Sequence, residues 1–280
     1  MVPDIVIAPL ILDNIIPFYR SLPGYSKSAF ASEDQHMSLI LRSSVFAPRF
    51  EFVRAIGAAA LLLSALTAAH ATEKAVVLPP PTIDVAAAPE SEQTAVIAGG
   101  CFWGIQAVYQ HTVGVIQAVS GYSGGTKQTA IYEVVSSGRT GHAESVQIRF
   151  NSKKISYGKI LQIFFSVAQD PTQLNRQGPD VGSQYRTVIF YSSDDQKRVA
   201  EAYIKQLDEL KVFKSPIVTR VDRLEAFYPA EAYHQDYATL HPEQPYIVYN
   251  DLPKIDNLKR LMPDVYREKP VLVSSAAASN

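Results

Sequence analysis

Residues 94–110 read TAVIAGGCFWGIQAVYQ, and this stretch decides the fold. Residues 94–97 form a short apolar run with strand character, which Gly99 and Gly100 interrupt. Phe102, Ile105, Val108 and Tyr109 then recur at three- and four-residue steps, the spacing of one helix face. A strand, a glycine turn and a helix therefore follow one another, and Cys101 sits at the helix N-terminus. Unpaired backbone N–H groups and the positive end of the helix dipole favour a thiolate there. The two glycines permit a tight turn and close approach of a ligand. Phe102 and Trp103 put two aromatic faces beside the sulfur, suited to a small apolar group such as a methyl.

Working outward, residues 113–119 read as a strand that ends in the glycine-rich turn Gly121-Tyr122-Ser123-Gly124-Gly125. Residues 144–150 alternate, with Val146, Ile148 and Phe150 on one face and Ser145, Gln147 and Arg149 on the other. Residues 155–168 carry apolar side chains at helical spacing, 186–191 read as a strand, and 194–210 as an amphipathic helix capped by Ser192 or Ser193. Residues 216–224 alternate again. Two strands flank the glycine turn with no helix between them, so the sheet is mixed rather than purely parallel. The expected fold is a single-domain, two-layer α/β (α+β) sandwich, a mixed sheet with helices packed on it. The catalytic domain is placed at 94–249. A tail over 250–280, with Pro253, Pro263 and Pro270, is expected to wrap the domain and then fray.

The chain has 280 residues, 26 basic and 27 acidic side chains and a formal charge of −1. No polybasic field points to nucleic acid. A single cysteine excludes an internal disulfide, a zinc site needing two thiolates and an all-cysteine iron–sulfur cluster.

The N-terminal part reads as a leader. Arg42, Arg49 and Arg54 precede an uncharged apolar run over 55–69, which ends in the small-x-small triplet Ala69-His70-Ala71. This is the pattern of a secretory signal peptide. The run is shorter than the roughly 20 residues a spanning helix needs. Residues 1–71 are thus expected to be leader and signal peptide, with translation starting at Met37 and 1–36 not translated. The mature protein is expected to be exported, periplasmic or secreted, the alternative being an uncleaved N-terminal anchor. Residues 72–93, with Pro79, Pro80, Pro81 and Pro89, read as a Pro/Ala-rich linker rather than core. An odd cysteine in an exported chain reads as a reactive thiol.

Gly100-Cys101-Phe102-Trp103-Gly104 resembles the signature of the type A peptide-methionine (S)-S-oxide reductases. Further similar elements follow in order: the glycine turn at 121–125, Tyr132, Gly141-His142-Ala143-Glu144, Asp180 with Gly182-Ser183-Gln184-Tyr185-Arg186, and Phe227-Tyr228-Pro229-Ala230-Glu231 with His234-Gln235-Asp236-Tyr237. The resemblance spans about residues 94–245. It implies reduction of methionine S-sulfoxide, free or in proteins, and hence protein repair. It implies that Cys101 is the nucleophile, Glu144 the acid, and Tyr132 and Tyr185 the donors to the substrate oxygen. Asp180 becomes a supporting carboxylate, and Phe102 and Trp103 the methyl slot. No metal or cofactor is implied. The regenerating partner is an external thiol, such as thioredoxin or a dithiol, and a monomer suffices.

Many members of that family carry further cysteines near the C-terminus; this chain has none after Cys101. Cys101 sulfenic acid must then be met by an external thiol. Gln106 stands where the family often has an acidic residue, and is read as a helix-surface position. A cysteine hydrolase or acyl transferase using Cys101 with His142 or His234 is the competing reading.

Overall fold

The computed structural model describes residues 75–86 and 91–273. The readings of the leader, the Met37 start and the end of the tail fall outside the described residues.

The quoted stretch folds as its spacing predicts. Strand β1, Glu92–Ala98, runs into the glycine pair, and helix α1, Phe102–Gln110, follows. Gly100 has φ +95°, and the Gln177 side chain lies where a Cβ would sit. An L side chain here would be both strained and crowded.

The remaining elements are β2 Val115–Ser123, α2 Tyr132–Val135, β3 Ala143–Asn151, α3 Tyr157–Ile163, β4 Arg176–Gln177, β5 Asp180–Val181, β6 Val188–Tyr191, α4 Asp194–Glu209, β7 Arg220–Arg223, β8 Phe227–Pro229, α5 Tyr237–Leu240 and α6 Leu252–Leu261. Six strands pair in the order β7-β6-β1-β3-β2-β8, and β4 pairs with β5 in a separate ribbon. All neighbours in the main sheet are antiparallel except β6 and β7, whose parallel register requires the α4 crossover. The sheet is mixed, as expected. Ala95, Ile97, Val146, Ile148 and Phe150 enter one large core with α1, α3 and α4. Val96, Ala98, Val188 and Phe190, on the opposite face, form a smaller cluster with Leu224 and Phe227.

Several boundaries move, each for a local reason. Strand β2 continues to Ser123, because Gly121, Tyr122 and Ser123 pair with β8, which sequence reading did not separate as a strand. The helix expected at 155–168 starts at Tyr157, with Ser156 accepting the Lys159 N–H at 3.1 Å, and closes in a π-helical turn, Phe164–Ala168. Of residues 216–224 only Arg220–Arg223 pair. Ser193, one of the two expected caps, accepts the Gln196 N–H at 3.2 Å.

Of the 72–93 tract read as linker, the described residues 75–86 are instead a strap bound to the helices, and Glu92 and Gln93 belong to β1. Leu78 is 2% exposed and belongs to the main core. Its N–H donates to Ser166 Oγ at 3.2 Å, and its carbonyl accepts from Gln162 Nε2 at 2.6 Å. The Pro79 carbonyl accepts the Tyr203 hydroxyl at 2.8 Å, and Asp84 takes the Gly158 N–H at 2.7 Å. Proline lacks a donor, but its carbonyl still accepts, so a proline run can dock through acceptors alone.

The tail is also more ordered than a wrap. A π-helical turn, Ile247–Asp251, leads directly into α6. Beyond α6, Arg267 and Val271 donate their N–H groups to the carbonyls of His111 and Gln110 at the end of α1.

Candidate active site

Cys101 is the N-cap residue of α1 and 7% exposed. The Trp103 N–H reaches its sulfur and favours the thiolate. Burial outweighs this, and the charges of Glu144, Asp251 and Asp180 add to it, so the thiol is pushed well above its ordinary value. The expected resting thiolate is therefore corrected. The helix terminus acts in the predicted direction but is overruled by desolvation and three carboxylates.

Glu144 lies on β3 opposite Tyr122 and is 3% exposed. One carboxylate oxygen accepts the Phe102 N–H at 3.1 Å, which ties the acid to the residue after the cysteine. Burial pushes its carboxyl up to about 8; the Phe102 N–H opposes, and Asp180 and Asp251 reinforce. Glu144 is thus protonated at neutral pH, as a proton donor must be.

Tyr132 opens α2, and its N–H donates to Glu231 Oε1 at 3.0 Å. Tyr185 closes a 3₁₀ turn, Ser183–Tyr185. Burial and then the Glu144 charge raise both phenols, and both also feel Cys101. Asp180, on β5, accepts the Tyr246 hydroxyl at 2.5 Å. Burial lifts Asp180, and Tyr246 and Lys254 oppose. The five residues read from sequence as catalytic therefore share one electrostatic neighbourhood. A cleft of about 850 Å³ opens onto Cys101 and Asp180, with Gln177, Tyr246 and Lys254 along it.

Phe102 is buried, 5.9 Å from Tyr122 and 5.1 Å from His234 between ring centres. Trp103 stacks on Tyr237 at 3.9 Å and 13°, meets Tyr246 edge-on at 5.9 Å, and donates its indole N–H to His234 Nδ1 at 3.2 Å.

Sequence reading missed two contributors, Tyr246 and Asp251, and gave no role to a third, Glu231, although it quoted the element that holds it. Asp251 is fully buried against Gly104, where any Cβ would collide with its carboxylate, and Lys254 lies 3.4 Å from it. Glu231 receives both the Tyr132 N–H and the Tyr122 hydroxyl, the latter at 2.9 Å. Tyr246 and Asp251 come from the far end of the chain, and no local pattern marks them. Gln106, read as a surface position, is buried. Its amide binds the Ala118 carbonyl at 3.1 Å and Gln235 Oε1 at 2.9 Å, and its oxygen accepts the Asp236 N–H at 3.0 Å. It is a strut between α1, β2 and the 231–237 turn.

Neither histidine is placed as a base for Cys101. His142 Nε2 pairs with the Thr126 carbonyl at 3.0 Å, and Trp103 occupies His234 Nδ1. Among the described residues, no group of three or more His, Cys, Asp or Glu side chains could hold a metal ion.

Comparison with known proteins bears on the same residues. The peptide methionine sulfoxide reductase family model matches residues 93–265. A peptide methionine sulfoxide reductase MsrA 2 of Mesorhizobium japonicum is 60% identical over 195 residues, covering 70% of this chain and 100% of that protein. A second, from Synechocystis, is 48% identical over 191 residues, covering 67% and 89%. The crystal structure of reduced Mxr1 from Saccharomyces cerevisiae superposes with a TM-score of 0.52 at 29% identity, over 58% of this chain and 93% of that one. These similarities support the reductase reading and lend nothing to a cysteine hydrolase or acyl transferase. With the match running from β1 through the helix after Asp251, this chain belongs to the peptide methionine sulfoxide reductase family, type A, and is an oxidoreductase that reduces methionine S-sulfoxide.

Proposed function

We propose that Cys101 attacks the sulfoxide sulfur while Glu144 delivers a proton to its oxygen. The observation that carries this is the Glu144 carboxyl, buried, bonded to the Phe102 N–H and raised to about 8 beside the only cysteine. Tyr132 and Tyr185 hold the oxygen, donating without carrying charge. Asp180 steadies the cysteine side through Tyr246, and Phe102 and Trp103 enclose the S-methyl group. The methionine sulfur gains two electrons and the cysteine sulfur loses two. The sulfur–oxygen bond of the sulfoxide breaks, the oxygen passes to the Cys101 sulfur, the thiol proton replaces the one Glu144 gave, and methionine leaves as Cys101 becomes sulfenic acid. Two external thiols then return Cys101 to the thiol, forming one disulfide and one water. A thioredoxin-like protein or a small dithiol fits that role, because no second thiol lies in the chain.

Two readings of the whole protein belong here. The basic segment, apolar run and Ala69-His70-Ala71 support export after cleavage, or anchoring if the segment stays. A monomer suffices for this chemistry, since the residues given roles here can all be supplied by one chain. N-terminal sequencing of the exported protein should begin just after Ala71.

The test of the chemistry gives the full chain an excess of the S-epimer or, separately, of the R-epimer, without reductant. One methionine per chain and a dimedone adduct on Cys101 are expected. Continued turnover without thiol, or equal turnover of the R-epimer, would sink the assignment. Repeated cycles should require an added dithiol.

A further inference from the structure

His234 sits where the aromatic side of the site converges. Its ring centre lies 4.4 Å from Tyr132, 5.1 Å from Phe102, 5.7 Å from Trp103 and 4.2 Å from Tyr233. The only directed contact in this group is the Trp103 indole N–H to His234 Nδ1 at 3.2 Å. That contact fixes the tautomer. An Nδ1 that accepts carries no proton, so in the neutral ring the proton is on Nε2.

The Trp103 indole is constrained in two distinct ways. Stacking on Tyr237 at 3.9 Å sets the plane of the ring. Stacked rings can still slide and rotate within that plane, because dispersion is non-directional. A hydrogen bond from the edge of the ring removes this freedom. We propose that His234 is a positioning residue for methyl recognition, its neutral Nδ1 fixing the in-plane setting of the Trp103 indole. The proposal rests on the reading of Trp103 as one wall of the S-methyl slot.

The turn that carries His234 is itself fixed. Gln235 accepts the Ser120 N–H at 3.0 Å and donates to the Ser120 carbonyl at 3.0 Å, pairing with the edge of β2 as a strand would. His234 closes a 3₁₀ turn, Ala232–His234, with its N–H on the Glu231 carbonyl. The imidazole is thus held from its backbone side as well as by the rings around it.

Protonation reverses the contact. Imidazolium carries a proton on both nitrogens, so Nδ1–H would face the indole N–H, donor against donor. The groups facing His234 are the Glu231 carboxylate at 4.0 Å from Nε2, the more distant Glu133 and the phenols of Tyr132 and Tyr233. Burial lowers the ring's proton affinity, and the pull of the two glutamates only partly offsets it. The acceptor is therefore available at neutral pH and lost in acid.

Trp103 is the only tryptophan in the chain, so its emission reports the contact directly. Wild-type emission should change on acidification with a midpoint below the ordinary histidine value of about 6.5. His234→Phe removes the acceptor. It should shift the neutral-pH emission and raise KM for free S-sulfoxide on the order of tenfold, with kcat changed by less than about threefold. His234→Asn places an amide oxygen near the Nδ1 position. It should restore emission and KM to near wild type and abolish the acid transition. Unchanged emission in His234→Phe, or an Asn variant as impaired as the Phe variant, would overturn the proposal. So would an emission change with KM unaltered. The underlying slot reading fails separately, if Trp103→Phe itself keeps the wild-type KM.

Discussion

The two sides of Cys101 are built on opposite principles. On one side stand Glu144, Asp180 and Asp251, each raised by burial; Asp180 and Asp251 add to the rise of Glu144, and Asp180 to that of Asp251. Lys254 is the cation that offsets part of this, 3.4 Å from Asp251. On the other side stand Phe102, Trp103, Tyr132, His234 and Tyr237, where two directed donors find acceptors, the indole on His234 and the Tyr132 N–H on Glu231, while His234 Nε2 lies 4.0 Å from the Glu231 carboxylate. The carboxylate side costs stability, because buried charge is poorly solvated. It yields proton control in return, since a carboxyl near 8 still holds its proton at neutral pH. The aromatic side buries large apolar area and contributes stability together with shape. Reactivity and rigidity are thus assigned to different walls of one site.

The comparison can be broken most directly at the sulfur. Cys101→Ser should abolish turnover while leaving the thermal midpoint near that of wild type; measurable turnover would remove the nucleophile assignment. Glu144→Gln comes next. Turnover should fall by about 10²–10⁴. The variant should also unfold at a higher temperature than wild type in mild alkali. In wild type, the folded-state value of about 8 lies above the ordinary 4.5. The destabilising effect of the buried carboxyl is therefore absent below pH 4.5, grows as pH rises, and is complete above pH 8. Wild-type kcat/KM should fall above pH 8 as the proton is lost. A Glu144→Gln variant less stable than wild type at pH 9 would contradict the idea of a costly wall.

Leu78→Ala probes the strap, which belongs to neither wall. Loss of a buried leucine should cost about 2–5 kcal/mol by denaturant titration and leave the alkaline limb of the rate profile in place. A moved alkaline limb would tie the strap to the chemistry. The smallest effect is expected from Tyr237→Leu, which keeps apolar bulk but removes the stack under Trp103. About 0.5–1.5 kcal/mol of stability should go, with no change in the pH profile.

Much of this was legible along the chain. The strand–glycine–helix placing of Cys101 followed from local spacing, and so did the half-buried alternation of β3. Glu144 was readable only through the resemblance of Gly141-His142-Ala143-Glu144, because an acidic residue near a strand start is ordinarily a solvated surface group. Strand β8 was not, because three residues with one proline carry no usable period. The strap misled for a related reason: composition identifies a proline tract, but only the partners of its carbonyls show that it is bound. Gln106 was misplaced because a glutamine on a helix reads as surface until three backbone and side-chain partners enclose it.

The sequence by itself determined the mixed sheet and the single thiol, and through its resemblance pointed to Cys101 as nucleophile and to an outside thiol, since these depend on residue identity and short-range order. Only the tertiary structure decided the protonation balance. Phe102, next to Cys101, and Glu144 are 42 residues apart, and Asp251 and Tyr246 lie at the far end of the chain. Their influence on the sulfur depends on burial and distance, which no local spacing encodes. The helix terminus that the sequence offered as a thiolate stabiliser is present, and burial above all, with the neighbouring carboxylates behind it, raises the thiol and outweighs it.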